Sequence, residues 1–281
     1  MASFPFVHQV IDAVDTKNQP LLLERLFEQQ LDLLIVRNAL PTEALRQTLS
    51  SLDNFSITDD VPWTPQQFAN PHRHQMMLIG ESLTPNVSAP TGPDLQRYFE
   101  KARWIESFVQ NQTVPFFRNL EQIFQSIGAQ NPSVAQDNIG NRYTPGTFRK
   151  LPVGCSIPLH VGNYFFDTGG YRILRESLDT RLQLSYFYTL RPAVEGGELA
   201  VYSTKWSDPN IPWLEDHGIW DGETIMRNAA VRYFKPGAGD LLIFNGGHFF
   251  HRVTEIKGTA SRWTLGGFLA KDTHGQVVYW N

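Results

Sequence analysis

His160, His251 and Arg262 are the residues whose types and spacing could do chemistry. His160 stands in IPLHVGNYFF, and His251 lies far downstream in GGHFFHRVT. If the strands carrying them meet across the mouth of a β-roll, the two imidazoles can share one metal ion. Imidazole suits Fe(II), and two histidines plus one carboxylate on a face of an octahedron describe non-haem iron oxygenases. Arg262 follows His251 by eleven positions, and Thr264 follows by two more. On a strand, Arg262 and Thr264 point the same way. A guanidinium beside a hydroxyl suits the far carboxylate of a keto-diacid, through a bidentate, charge-assisted contact. The chain has eight histidines, so two at workable spacing are weak evidence by themselves. His248 competes with His251 but, three residues earlier on a strand, it faces the other way.

Such a site needs a strand scaffold, and from about Arg142 the sequence supplies one. RYTPGTFRKL, LQLSYFYTL, GGELAVYS, AVRYF, GDLLIFN, HFFHRVT and RWTLGGFLA are short β-branched or aromatic runs bounded by Gly, Pro or Asp. They predict a mostly β fold, a double-stranded β-helix (jelly roll, cupin-like) braced by N-terminal helices. Leu22, Leu26, Phe27 and Leu31 repeat at helical spacing. LDLLIV reads as a buried strand, and Pro41-Thr42-Glu43 opens a second helix. From Pro93 a longer helix carries Leu95, Phe99, Ala102, Ile105 and Val109 on one stripe. Phe116, Leu120, Ile123, Phe124 and Ile127 continue the pattern after Pro115, ending at Gly128. Residues 1–281 are expected to form one domain, with 1–140 mainly helical support and substrate pocket and 141–281 the metal core. Thr204 to Ala229 is long for a loop inside a compact domain, which makes it a lid candidate.

Composition narrows the class. Hydrophobic residues make up 41% and aromatics 12%, enough for a sizeable core. A net charge of -4 gives no basic footprint, so no nucleic-acid partner is expected. Cys155 stands alone, which rules out an internal disulfide and fits a reducing cytoplasm. MASFPFVHQVIDAVD lacks the form of a signal peptide, and runs such as Leu31 to Val36 are too short to span a bilayer.

The order His-x-(Asp/Glu), a distant His, then Arg-x-(Ser/Thr) resembles the Fe(II)/2-oxoglutarate dioxygenase superfamily. Here the acidic position is Gly162, which has no side chain to offer a metal. Loss of that carboxylate marks the iron-dependent halogenases within the superfamily. LHVGN, QLSYF, GGELAVYS, KPGAGDLLIFNGGHFFHRV, RWTLGGFLA and VVYWN resemble the free-standing halogenases of cyanobacterial hapalindole, ambiguine and welwitindolinone pathways. The likeness covers most of Tyr143 to Asn281. Before it, only places such as LIVRNALP and LIGES match.

The resemblance implies Fe(II) on His160 and His251, with 2-oxoglutarate chelating the metal and pairing with Arg262 and Thr264. Only His251 has its arginine at the family spacing. Chloride or bromide would take the coordination position beside Gly162, with Asn163 near it or capping a turn. Dioxygen then drives decarboxylation to succinate, and the halogen goes to an unactivated sp3 carbon. Ser185, in QLSYF, is the expected hydrogen-bond donor that orients the oxygen-derived ligand. Tyr143 and Thr147 are expected to border 2-oxoglutarate. Met77, Leu78, Ile79, Phe165 and Trp206 are read as substrate pocket or core. The substrate is expected to be a free, fairly apolar small molecule, not one tethered to a carrier protein.

Other readings stay open on the residues alone. Gly162 could be a turn glycine chosen for positive φ, with Asp167 or Glu198 as the missing ligand. Asp167 is seven residues from His160, too far along an extended strand, and Glu198 in GGEL reads as structural. A hydroxylase or desaturase with water in the open position is the alternative enzyme. A non-catalytic ligand-binding jelly roll is the alternative outside catalysis.

Overall fold

Strands alternate side chains between two faces, and here each inner face finds a partner layer. The computed structural model describes residues 4–54, 76–83, 92–110, 115–167, 171–179, 182–214 and 218–281. In chain order the strands begin β1 (His8–Asp12), β2 (Leu33–Arg37), β3 (Met77–Ile79), β4 (Ser133–Val134), β5 (Thr147–Leu151) and β6 (Ile157–His160). There follow β7 (Leu184–Arg191), β8 (Glu195–Gly196), β9 (Leu199–Lys205), β10 (Trp213–Leu214) and β11 (Ile219–Trp220). The last are β12 (Val231–Phe234), β13 (Leu241–Phe244), β14 (Phe249–Val253), β15 (Ile256–Lys257), β16 (Arg262–Lys271) and β17 (Val277–Trp280).

The larger sheet runs β1-β2-β13-β7-β16-β17-β4, with β5 also on β16 and β3 on β5. The smaller sheet runs β12-β9-β14-β6. The sheets stay separate, so this is an open two-sheet roll and not a closed barrel. The segment before residue 140 is less helical than expected, because β1, β2 and β3 extend the larger sheet.

Alternation sorts the core. Leu184, Tyr186, Tyr188 and Leu190 of β7, with Leu241 and Ile243 of β13 and Trp263, Leu265 and Leu269 of β16, face the helices. Leu242 and Phe244 face inward, packing with Leu199, Val201 and Phe249 of the smaller sheet. Each fully buried side chain of this size contributes roughly 1.5–3 kcal/mol.

The helices are α1 (Leu22–Phe27), α2 (Thr42–Asp53), α3 (Pro93–Gln110), α4 (Phe116–Ser126), α5 (Arg172–Ser177) and α6 (Gly222–Asn228). The α3 stripe buries Phe99, Ala102, Ile105 and Val109, and α4 buries Phe116, Leu120, Ile123 and Phe124. Helix α1 is shorter than predicted. Gln29 turns left-handed at φ 58°, so Leu31 is buried from beyond the helix end. Gly128 ends the α4 region at φ 119°, a conformation that suits glycine. At the end of α2, Asp53 accepts two hydrogen bonds from Arg191 of β7 (2.7 and 3.0 Å) and one from Trp263 Nε1 of β16 (3.0 Å). That latch ties the helical layer to two central strands.

The 204–229 segment is more ordered than a bare loop. It holds the β10–β11 pair and α6, whose Asp221 caps Thr224 N, and it buries Trp220 and Ile225 in a cluster with Phe250.

Candidate metal and cosubstrate site

Cross-strand pairing brings the two histidines together. His160 on β6 is the direct partner of His251 on β14, and the ring centroids are 4.1 Å apart. Each ring is oriented by a backbone carbonyl two residues earlier. His160 Nδ1 lies 2.8 Å from Pro158 O, and His251 Nδ1 lies 2.9 Å from Phe249 O. A proton on each Nδ1 satisfies those contacts and makes Nε2 the metal-binding nitrogen of each ring.

Burial lowers the pKa of His160 to about 4, with Arg149 acting in the same direction. His251 is held well below the usual imidazole range by burial, then by His160 and Arg149. Both rings are therefore neutral at physiological pH, the form that binds metal. Among the described residues no group of three or more His, Cys, Asp or Glu is placed to hold a metal.

A cavity of about 70 Å³ opens beside the pair, lined by His160, His251, Ser185, Arg262, Thr264 and Arg149 among others. Strand β16 supplies much of it by alternation, with Arg262, Thr264, Gly266 and Phe268 all facing in. Arg262 is 5% exposed and lies 5.2 Å over the Phe187 ring. Burial lowers its pKa to about 10, and Arg149 adds to the effect, so it stays cationic.

Arg149 was not among the sequence candidates. It sits directly across from Thr264 in the β5–β16 register. Its Nη2 donates to Asn281 Oδ1 at 3.3 Å, and its Nε donates weakly to Thr147 Oγ1 at 3.4 Å. Two guanidiniums around one threonine, with no carboxylate lining the cavity, leave positive charge that suits a dianion.

Gly162 has a packing reason for being glycine. It is not among the positive-φ glycines, so the turn-glycine explanation fails. Its N–H donates to Gly246 O (2.8 Å), and that of Asn163 donates to Gly247 O (3.0 Å). A Cβ at 162 would stand 2.6 Å from Gln183 Nε2, 3.1 Å from Gly246 O and 3.1 Å from Gly247 Cα. A side chain cannot start there without something moving. Of the substitute carboxylates, Glu198 is not delivered: it accepts a hydrogen bond from Thr254 Oγ1 at a strand end, away from the cavity lining. The side chain of Asp167 lies outside the described residues.

The remaining sequence candidates divide. Ser185 lines the cavity, and its Oγ is buried with no hydrogen-bond partner. Asn163 Oδ1 is likewise buried and unpartnered, close against Gly247. Thr147 touches the site through Arg149 and through Asn281 Nδ2 (2.6 Å), not as a cavity wall. Tyr143 is not brought there; it stands four residues before β5 and packs against Tyr98 and Phe99 of α3 in an aromatic cluster. Leu78 shares a cluster with the cavity residue Ile157, Ile79 points into the helical core and Met77 is half-buried. Phe165 and Trp206 lie in aromatic clusters outside the cavity lining. His248 is buried against Phe249 and is not part of the histidine pair.

The residues present fit an iron and a keto-diacid. Two neutral imidazoles oriented through Nδ1 stand beside two buried guanidiniums and the buried Ser185 hydroxyl. A two-sheet roll with this mouth defines the class of non-haem iron, 2-oxoglutarate enzymes. The same architecture occurs in an N-substituted L-amino acid dioxygenase from Burkholderia ambifaria AMMD, at TM-score 0.57 and 15% identity over 92% of this chain and 90% of that one. The complex of that dioxygenase with alpha-KG matches at TM-score 0.56 and 15% identity, over the same shares. No curated protein matches the chain. The model of the carrier-protein-independent halogenase WelO5 family matches residues 5–281, and the chain belongs to that family. It is a non-haem iron halogenase using 2-oxoglutarate, a halide and dioxygen.

Proposed function

We propose that His160 and His251 are the only protein ligands to the iron, and that the halide completes the coordination which a carboxylate at 162 would otherwise supply. The observation that carries this reading is the adjacent, neutral histidine pair with a glycine at the acidic position. When bound, the iron with 2-oxoglutarate and dioxygen supplies the power to remove a hydrogen atom from an sp3 carbon and deliver halogen to it.

The protein's part is placement. Arg262 and Thr264 hold the far carboxylate of 2-oxoglutarate, and Arg149 across the ladder reinforces them. Ser185 Oγ, free of protein partners, donates toward the metal end of the cavity and so biases which ligand faces the substrate. Apolar Phe187, Phe244, Val253 and Phe268 keep water from that end. The substrate is a free, largely apolar natural-product intermediate, in line with a carrier-independent family. Leu78 and Ile157 are its nearest apolar wall. We place the enzyme in the cytoplasm, without a nucleic-acid partner; among the described residues no helix is long and apolar enough to cross a membrane.

The test is anaerobic addition of Fe(II) and 2-oxoglutarate, followed by chloride titration of the visible metal-to-ligand band. The expected result is a band lost in His160→Ala and His251→Ala, with a saturable chloride shift in the native protein. A band that survives both alanine variants overturns the ligand assignment. A native band indifferent to chloride favours the hydroxylase with water in the open position.

A further inference from the structure

Gly162 leaves less room than a missing side chain suggests. The direction its Cβ would take is occupied by the Gln183 carboxamide, with Nε2 2.6 Å from the ideal Cβ position. Gln183 is 1% exposed, and neither Nε2 nor Oε1 has a hydrogen-bond partner. A buried amide with both ends unpaired is costly, and such groups occur where a ligand or ion completes them. Its placement is fixed by backbone: Gly247 N donates to Gln183 O (3.0 Å), while Gly162 N donates to the adjoining Gly246 O. The local backbone N–H groups of Gly162, Asn163 and Gly247 are thus already spent on carbonyls. Beside Gly162, Gln183 Nε2 is a buried N–H donor left without a partner among the described residues.

Donor chemistry selects the occupant. Among the described residues the cavity wall carries two arginines and no carboxylate, so an anion is favoured over a cation beside it. An amide N–H pointed where the family's carboxylate would start suits a spherical anion at that place, and an N–H donor to an anion is a strong, charge-assisted contact. We propose that Gln183 Nε2 donates to the halide and holds it in the position left by the absent 162 carboxylate. This rests on the halogenase reading of the site and adds to it the residue that selects and orients the anion.

The experiment titrates chloride into the anaerobic Fe(II)–2-oxoglutarate complexes of native protein, Gln183→Met and Gln183→Glu, reading the visible band. Unchanged 2-oxoglutarate affinity in each variant certifies an intact site. The chloride Kd should rise at least roughly tenfold in Gln183→Met, which keeps the length but loses the donor. It should rise further in Gln183→Glu, whose carboxylate repels the anion. If native protein binds chloride and both variants match it within twofold, the Gln183 assignment is overturned and the halogenase reading stands. If only one variant retains the site, that variant decides by the same criterion. If native protein itself shows no chloride response, the halide reading falls and this assignment with it.

Discussion

Gly162→Ala tests the site's packing without any chemistry. The new methyl group would meet Gln183 Nε2 at 2.6 Å and the Gly246–Gly247 backbone at 3.1 Å. Backbone strain plays no part, since Gly162 lies outside the left-handed region. The amide end of Gln183 can swing, but the glycine backbone is pinned by the 2.8 and 3.0 Å hydrogen bonds to residues 162 and 163. Overpacking of this kind costs about 1–3 kcal/mol. For a chain of this size that lowers Tm by about 2–5 °C. Gly162→Asp should lose at least as much in the apo-protein, because an unpaired carboxylate is added to the overpacking. Fe(II) should then recover part of the loss, since the new carboxylate gains a partner, while the chloride response disappears. Pairing Gly162→Ala with Gln183→Ala removes the facing amide, so the double variant should be less destabilised than the two single effects combined. Differential scanning calorimetry on the native protein, the three single variants and the double variant reads the stabilities, and the visible band reads the chloride response. A Gly162→Ala protein as stable as native, or strictly additive effects, would refute the argument that packing dictates glycine here.

Other perturbations separate the remaining parts. Arg262→Gln should weaken 2-oxoglutarate binding about 10–100-fold, the worth of a hydrogen bond to a charged group, with a smaller loss in Arg149→Gln; equal affinity in both variants would remove the arginines from cosubstrate binding. Free imidazole takes its proton near pH 6.5, but burial keeps His160 neutral down to about 4 and holds His251 well below the usual range too. Unfolded chains therefore bind protons that the folded site refuses, and apo-protein stability should fall as pH drops from 6.5 toward 4, which urea titrations across that window will show. Arg191 and Trp263 hold the Asp53 carboxyl below the usual range, so the latch stabilises fully above about pH 4 and weakens as pH falls through its folded value. Asp53→Asn should cost about 1 kcal/mol at pH 7, given how open the pair is to solvent, and that difference should shrink at pH 3.

The site was legible where side-chain period and spacing were enough. Arg262 and Thr264 share a face because strands alternate, and the same rule places Phe268 in the cavity, although the sequence reading stopped short of it. The pairing of His160 with His251 needed the β6–β14 register, and family resemblance stood in for that knowledge. Arg149 had no such proxy. FRKL offers two basic residues, and only the long-range pairing with Thr264 tells which one faces inward. Gln183 carried a usable signal, standing two positions before Ser185. A lone glutamine at a strand end usually faces solvent, so that position alone does not mark it as part of a site. Tyr143 misled for the opposite reason: proximity in sequence to the first histidine says nothing once the chain turns beneath α3. The 204–229 segment looked long because β10–β11 and α6 are too short to register as periodic.

Strand β16 carries the cosubstrate arginine at one end and Phe268 six residues on. At about 3.3 Å per residue those positions lie roughly 20 Å apart along one stiff backbone. The strand therefore works as a graduated rule. If Arg262 anchors the cosubstrate as proposed, that end sets the zero of the scale, and every inward residue farther along stands at a fixed step from it. An exchange at Phe268 would then reshape the far end of the cavity while leaving the anchored end in place.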